Sequence, residues 1–176
     1  MSGHNKWSKI KRKKGAEDAR KSQIFSRYSK LITNESKKCN GDVRSPGLAT
    51  VIEAAKKENM TKDAIDRAVK KGTDKDTASL ESVTYEAYGP GGVAIIIDAL
   101  TDNKNRTGPE IRHIFTKAGL ELATPGAAQW AFTRQNNEWI PNTTTEISEE
   151  DQEKLGDLFE KLDEHEDVQG VFTNAA

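Results

Sequence analysis

Apolar positions first recur at helical spacing between about Ala16 and Ser36. Ile24, Tyr28, Leu31 and Glu35 fall on one face with Phe25 and Ile32 beside it, while Arg20, Lys21, Arg27 and Lys30 fall mostly elsewhere. That pattern predicts an amphipathic helix with a packing stripe and a basic surface. Cys39-Asn40-Gly41-Asp42 breaks it. Ser45-Pro46 opens a second helix, with Ser as the cap and Pro where the N–H needs no partner. Leu48, Val51, Ile52 and Ala55 form its inner face. Thr61 caps a third helix with Ala64, Ile65, Ala68 and Val69 inward, and Gly72 is expected to stop it. These faces make a small helical domain, followed by a stretch of linker composition over residues 73–79.

Beyond the linker the period changes. Val83, Tyr85 and Ala87 alternate with polar or outward residues, which predicts a strand. Gly89-Pro90-Gly91-Gly92 forces a turn, and Val93 to Leu100 reads as a strand buried on both faces. Thr107 and Glu110 have capping-box spacing ahead of a helix carrying Ile111, Ile114, Phe115 and Ala118, ended by Gly119. Residues 129–134 and 138–147 predict two strands joined by a Gln135-Asn136-Asn137 turn. Trp130, Phe132 and Phe172 alternate on strands and are expected in the core. Ser148 caps an acidic helix with Leu155, Leu158, Phe159 and Leu162 inward, and residues 168–173 form a last strand. From residue 93 the order is β-α-β-β-α-β, the ferredoxin-like arrangement, with one extra strand before it. The expected fold class is α+β: a helical domain over residues 1–76 and an acidic α+β domain over 77–176.

Charge sharpens this division. The formal net charge is -1, but residues 1–75 hold 20 basic and 9 acidic residues while 76–176 hold 7 and 19, giving +11 and -12. A head of that charge is the footprint of a polyanion partner, set against the plainer reading of a solvated helical face. Lys6, Lys9, Lys11, Arg12, Lys13 and Lys14 crowd into nine positions, denser than a solvated face needs. They lie in an N-terminal arm without apolar periodicity, whose Trp7 either stacks on a base or pins the arm to the helices. With His4 and the four helix cations, they form the candidate nucleic-acid contacts.

Other chemistry is sparse. His4, His113 and His165 share no metal spacing and read as surface or capping groups, and the single Cys39 excludes a disulfide framework or a Cys-cluster zinc site. The glycine turn lacks the Lys-Ser/Thr ending of a phosphate loop. Glu146, Glu149, Glu150, Asp151 and Glu153 crowd a helix start and look solvated. Asp102, Asn103, Asn105 and Arg106 precede a helix N-terminus, so the loop either holds an anion or partner or simply shapes the turn. No nucleophile–base pair is visible, so neither an enzyme nor a cofactor, metal or small-molecule substrate is expected. No apolar run approaches the roughly 20 residues of a membrane span. No secretory h-region follows the basic N-terminus, and a cytoplasmic location is expected; a mitochondrial one would require a removed transit peptide.

Four separated stretches carry a resemblance: Gly3-His4-Asn5-Lys6-Trp7 with Ile10-Lys11, Asn59 to Asp63, Tyr85 to Ala94, and Leu100 to Thr107. Together, and in this order, they resemble the YebC/PmpR family, which includes the mitochondrial translational activator of cytochrome c oxidase subunit I. The resemblance implies a non-enzymatic, three-domain protein, long labelled a DNA-binding transcriptional regulator and more recently understood as a ribosome-associated factor that relieves stalling at proline-rich stretches. By similarity His4, Lys6, Trp7, Lys9, Lys11 and Lys14 would contact ribosomal RNA, with duplex DNA the alternative partner. The chain departs from the family at Asn5, where Ser is usual, and at Gly47 and Ala49, where basic residues are usual. Typical members also insert a further domain after the strand equivalent to residues 129–132. Here Arg134 to Glu138 leads directly into Trp139-Ile140-Pro141-Asn142, as in a short form lacking that middle domain.

Overall fold

The computed structural model describes residues 17–135 and 138–176. They fall into two compact units that divide between Glu81 and Ser82.

The first unit holds three helices: α1 (Glu17–Lys38), α2 (Pro46–Lys57) and α3 (Lys62–Thr73). Leu48, Ile52 and Ala55 of α2 and Ile65 and Ala68 of α3 are buried, as their spacing predicts. On α1 the buried stripe is rotated from the expected one. Ile32, Thr33 and Ser36 are buried, with Phe25 and Tyr28 packed alongside, and Leu31 is only half-buried. The rotation follows from polar bonding across the helix pair. Thr33 Oγ1 donates to the Ala68 carbonyl at 3.2 Å and Ser36 Oγ to the Val69 carbonyl at 2.7 Å.

The connection from α2 to α3 is set by three residues. Asn59 takes a left-handed φ of 62°, Met60 is buried, and Thr61 Oγ1 accepts from Ala64 N–H. The Met60 and Asn59 amides return to Ala55 and Lys56, closing α2 with a Schellman motif. Ser45 stands at the α2 cap position but makes no side-chain cap bond. Gly72 does not stop α3, which runs on to Thr73. Its role is close approach: a Cβ there would sit 2.5 Å from the Thr33 carbonyl oxygen and 2.6 Å from Ser36 Cβ. Gly72→Ala should therefore destabilise this unit by about 1–3 kcal/mol despite the better helix propensity of Ala. A melting temperature equal to or above wild type would show that the helices absorb the methyl.

The second unit contains β1 (Glu81–Tyr88), β2 (Ala94–Thr101), α4 (Lys104–Lys117), β3 (Phe132–Gln135), β4 (Glu138–Pro141), α5 (Glu149–Glu164) and β5 (Val168–Thr173). The α+β class and the order of elements are as expected. The hydrogen bonding divides them into a three-stranded sheet, β1-β2-β5, and a separate β3–β4 hairpin. The extra N-terminal strand thus takes its place beside β2, and β5 lies antiparallel on the other side, pairing Ile95 with Thr173.

This arrangement explains the continuous apolar run of β2. Ile95, Ile97 and Ala99 pack with Ile111 and Phe115 of α4 and with Leu155, Leu158, Phe159 and Leu162 of α5. Ala94 and Ile96 face the other way, against Phe132, Trp139 and Phe172. Helices cover one sheet face and the hairpin covers the other. Burial of each large side chain here contributes about 1.5–3 kcal/mol. Asp98 ties the layers together, accepting from Thr84 Oγ1 at 2.7 Å and Trp139 Nε1 at 2.9 Å. Gly119, at φ 73°, closes α4 with a second Schellman motif, and Ser148 caps α5 by accepting from the Asp151 amide. Residues 129–131 form a 3-10 turn, so the expected alternation fails there. Phe132 goes inward, but Trp130 remains 63% exposed, a correction to its expected place in the core.

Candidate functional site

The basic arm, including His4, Lys6, Trp7, Lys9, Lys11, Arg12, Lys13 and Lys14, lies outside the described residues. The helix cations that follow it are described. Arg20 and Lys21 are exposed on α1, and Arg27 and Lys30 are half-buried. At 100° per residue, Arg20 and Arg27 share one face and Lys21 and Lys30 flank it on opposite sides. Together they spread over about half of the helix circumference. Residues 17–81 contribute 14 basic and 11 acidic side chains, so this body is only +3 while the arm alone adds six cations.

The β2–α4 loop is more closely built. Asn103, and not Thr107, caps α4, its side chain accepting from the Asn105 amide at 3.0 Å. Thr107 instead sits inside the helix and is fully buried. Its hydroxyl donates to Asp167 Oδ2 at 2.7 Å and lies 2.7 Å from Thr101 Oγ1. Arg106 turns inward to the same Asp167 oxygen at 2.7 Å, with Asp102 at 3.1 Å, Glu110 at 3.8 Å and Glu166 at 3.9 Å. The Asp167 bond and charge raise the Arg106 pKa above its ordinary value, with Asp102 and Glu110 adding to the effect. A guanidinium surrounded by carboxylates does not present free positive charge to an incoming anion. The geometry matches the turn-shaping alternative.

His165 completes this network. Its Nδ1 accepts from the Asp167 amide at 3.2 Å, and its Nε2 meets Glu110 at 3.0 Å. Glu110, His165 and Asp167 bring ligand-type atoms within 4.8 Å of one another. Both imidazole nitrogens are already engaged, however, and Arg106 supplies the countercharge. The arrangement locks the start of α4 to the turn before β5. Sequence reading placed His165 at the surface or a cap. It is the C-cap residue of α5, and its side chain is only 10% exposed, with Glu110 reaching it from α4.

A buried acid went unrecognised in the sequence. Glu86, on β1, is 3% exposed. Its carboxylate accepts from the amides of Gly126 at 2.6 Å, Ala128 at 2.7 Å and Gln129 at 3.1 Å, and from Gln129 Nε2 at 2.8 Å. Burial pushes its pKa up, but these bonds more than offset that and hold it below the ordinary glutamate value. Its position among alternating residues suggested an outward side chain, and nothing nearby in sequence points to the loop that covers it.

Comparison with known proteins places this architecture. Residues 5–75 match the model of the TACO1/YebC protein N-terminal domain. Residues 80–137 and 134–175 match the model of the TACO1/YebC second and third domain, in two pieces that meet at the β3–β4 hairpin. The chain belongs to the TACO1/YebC family. A family member named a probable transcriptional regulatory protein, from Desulfatibacillum aliphaticivorans, is 44% identical over 183 residues, covering 97% of this chain and 74% of that protein. One of the same name from Petrotoga mobilis is 47% identical over 152 residues, covering 85% of this chain and 61% of the relative. In structure, the chain resembles a conserved hypothetical protein, Aq1575 from Aquifex aeolicus, with a TM-score of 0.83 and 29% identity over 97% of this chain and 96% of that one. Within the stretch Leu100 to Thr107, Asn103 caps α4, the Thr101 and Thr107 hydroxyls bond to each other, and Arg106 pairs with Asp167.

Proposed function

We propose that the protein is a ribosome-associated, RNA-binding translation factor that relieves stalling by binding, without catalysis, through its basic N-terminal head. The charge division carries this reading: +11 over residues 1–75 against -12 over the rest. Lys6 to Lys14 would neutralise phosphates, with Arg20, Lys21, Arg27 and Lys30 extending the contact along α1. The acidic unit repels polyanions and so leaves the contact to the head. Among the described residues no helix is long and apolar enough to cross a membrane.

A second reading, a DNA-binding transcriptional regulator, is favoured by the names of the relatives. Such a protein needs base readout, and α1 to α3 offer no run of Arg, Asn and Gln at base-reading spacing. Co-sedimentation with ribosomes across a salt series, with excess random duplex DNA as competitor, separates the two. Retention at moderate salt despite the DNA is expected. Complete loss to the DNA would sink the ribosome reading and call for a search for a preferred duplex, bound about 1,000-fold or more above random sequence.

A further inference from the structure

Trp130 is the most exposed large apolar side chain among the described residues, at 63%, with Tyr88 beside it at 38%. Its indole is not loose. Nε1 donates to Tyr88 Oη at 3.0 Å, and the Tyr88 hydroxyl donates to the Ala127 carbonyl. The Trp130 carbonyl accepts from Asn142 Nδ2 at 3.4 Å. The loop beneath is fixed by the Glu86 bonds to Gly126, Ala128 and Gln129. An aromatic side chain held in place before any partner arrives, with a large face in water, has the character of an interface anchor.

The net charge of the unit that carries Trp130 points to the class of partner. From Ser82 to the C-terminus there are 17 acidic and 7 basic residues, a net of -10. That field repels phosphate, so a nucleobase is a poor occupant. A lone Trp–Tyr pair is also far too small for a stable dimer interface of about 1,200 Å² or more. The field attracts cationic polypeptide, and an indole face receives guanidinium groups by stacking. The same unit already uses this contact, with Arg134 lying 5.1 Å from the Trp139 ring centroid.

We propose that Trp130, braced by Tyr88, anchors a docking surface for an arginine-rich polypeptide segment of a partner protein. This surface is separate from the basic head and does not depend on the RNA reading. The test is fluorescence anisotropy of the full-length protein with labelled peptides of alternating Arg and Gly, their Lys–Gly counterparts, and a labelled RNA oligonucleotide. Trp130→Ala is expected to weaken the arginine peptide about tenfold. Trp130→Phe should weaken it less, and the lysine peptide should bind wild type several-fold more weakly than the arginine peptide. Melting curves establish that both variants are folded. Three outcomes would overturn the proposal: no binding of the arginine peptide by wild type up to about 1 mM, equal binding by wild type and Trp130→Ala, or no preference for Arg over Lys. RNA binding that depends on Trp130 would overturn it too, by making the ring a base-stacking platform.

Discussion

Glu86→Ala is expected to unfold the α+β unit far more readily than loss of one surface acid would suggest. The substitution strands the amides of Gly126, Ala128 and Gln129, and Ala128 itself is fully buried. Each buried donor without a partner costs about 1–3 kcal/mol, so a total of about 3–5 kcal/mol follows when partial solvent access is allowed for. For a unit of this size that is a fall in melting temperature of about 15–25 °C. Glu86→Gln keeps one acceptor oxygen and should fall between the two. The same group sets a pH dependence. Its folded pKa lies below the ordinary value, so its stabilisation is complete above the unfolded glutamate pKa of about 4.3 and is lost as pH falls through the lower folded value. Thermal melts at a series of pH values should therefore converge for wild type and Glu86→Gln at the acid end. Glu86→Ala melting within about 2 °C of wild type would show that water replaces the carboxylate.

Removing the arm's central charge is expected to have the largest effect on binding. Replacing Lys11, Arg12, Lys13 and Lys14 with Ala should lower the log–log salt slope of ribosome or RNA binding by roughly 3, at about 0.7–0.9 per lost phosphate contact. Affinity at low salt should drop by at least about tenfold. Replacing Arg20 and Lys21 instead should lower the slope by only about 1.5. The comparison is informative because the head's excess of +11 divides almost evenly, with +6 in residues 1–16 and +5 in residues 17–75. A slope that does not move on the fourfold change would remove the arm from the interface and leave α1 as the contact.

The elements legible in the sequence are those fixed by neighbours. Thr61 and Ser148 cap as their chemistry predicts, and Gly119 ends α4 in the left-handed conformation that glycine permits. The apolar faces of α2, α3 and α5 follow their periods directly. Thr107 shows where this kind of reading stops. Its spacing to Glu110 has the form of a capping box, but Asn103 can also cap, and Asp167, sixty residues away, draws the Thr107 hydroxyl inward. Trp130 was misplaced because a 3-10 turn interrupts the alternation on which its burial was argued. Glu86 escapes such a reading for a related reason: its partners come from a distant loop, and a charged side chain carries no local mark of the hydrogen bonds that will bury it. The candidate binding residues stand on charge density alone, with 6 cations between Lys6 and Lys14.

The pairing of β5 with β2 also bears on the order in which the molecule is made. Val168 to Thr173 must lie against Ile95 to Ala99, so the sheet is incomplete until β5 is available. The three-helix unit lies wholly before Ser82. Chains emerge N-terminus first and domains fold as units. The three-helix unit can therefore fold while the acidic half is still an open chain. During that interval Ile95, Ile96 and Ile97 have β1 on one side but leave the β5 edge of a β-prone apolar strand open. A chain cut short before Val168 would remain in that condition, with a folded three-helix unit attached to a segment that chaperones and proteases recognise.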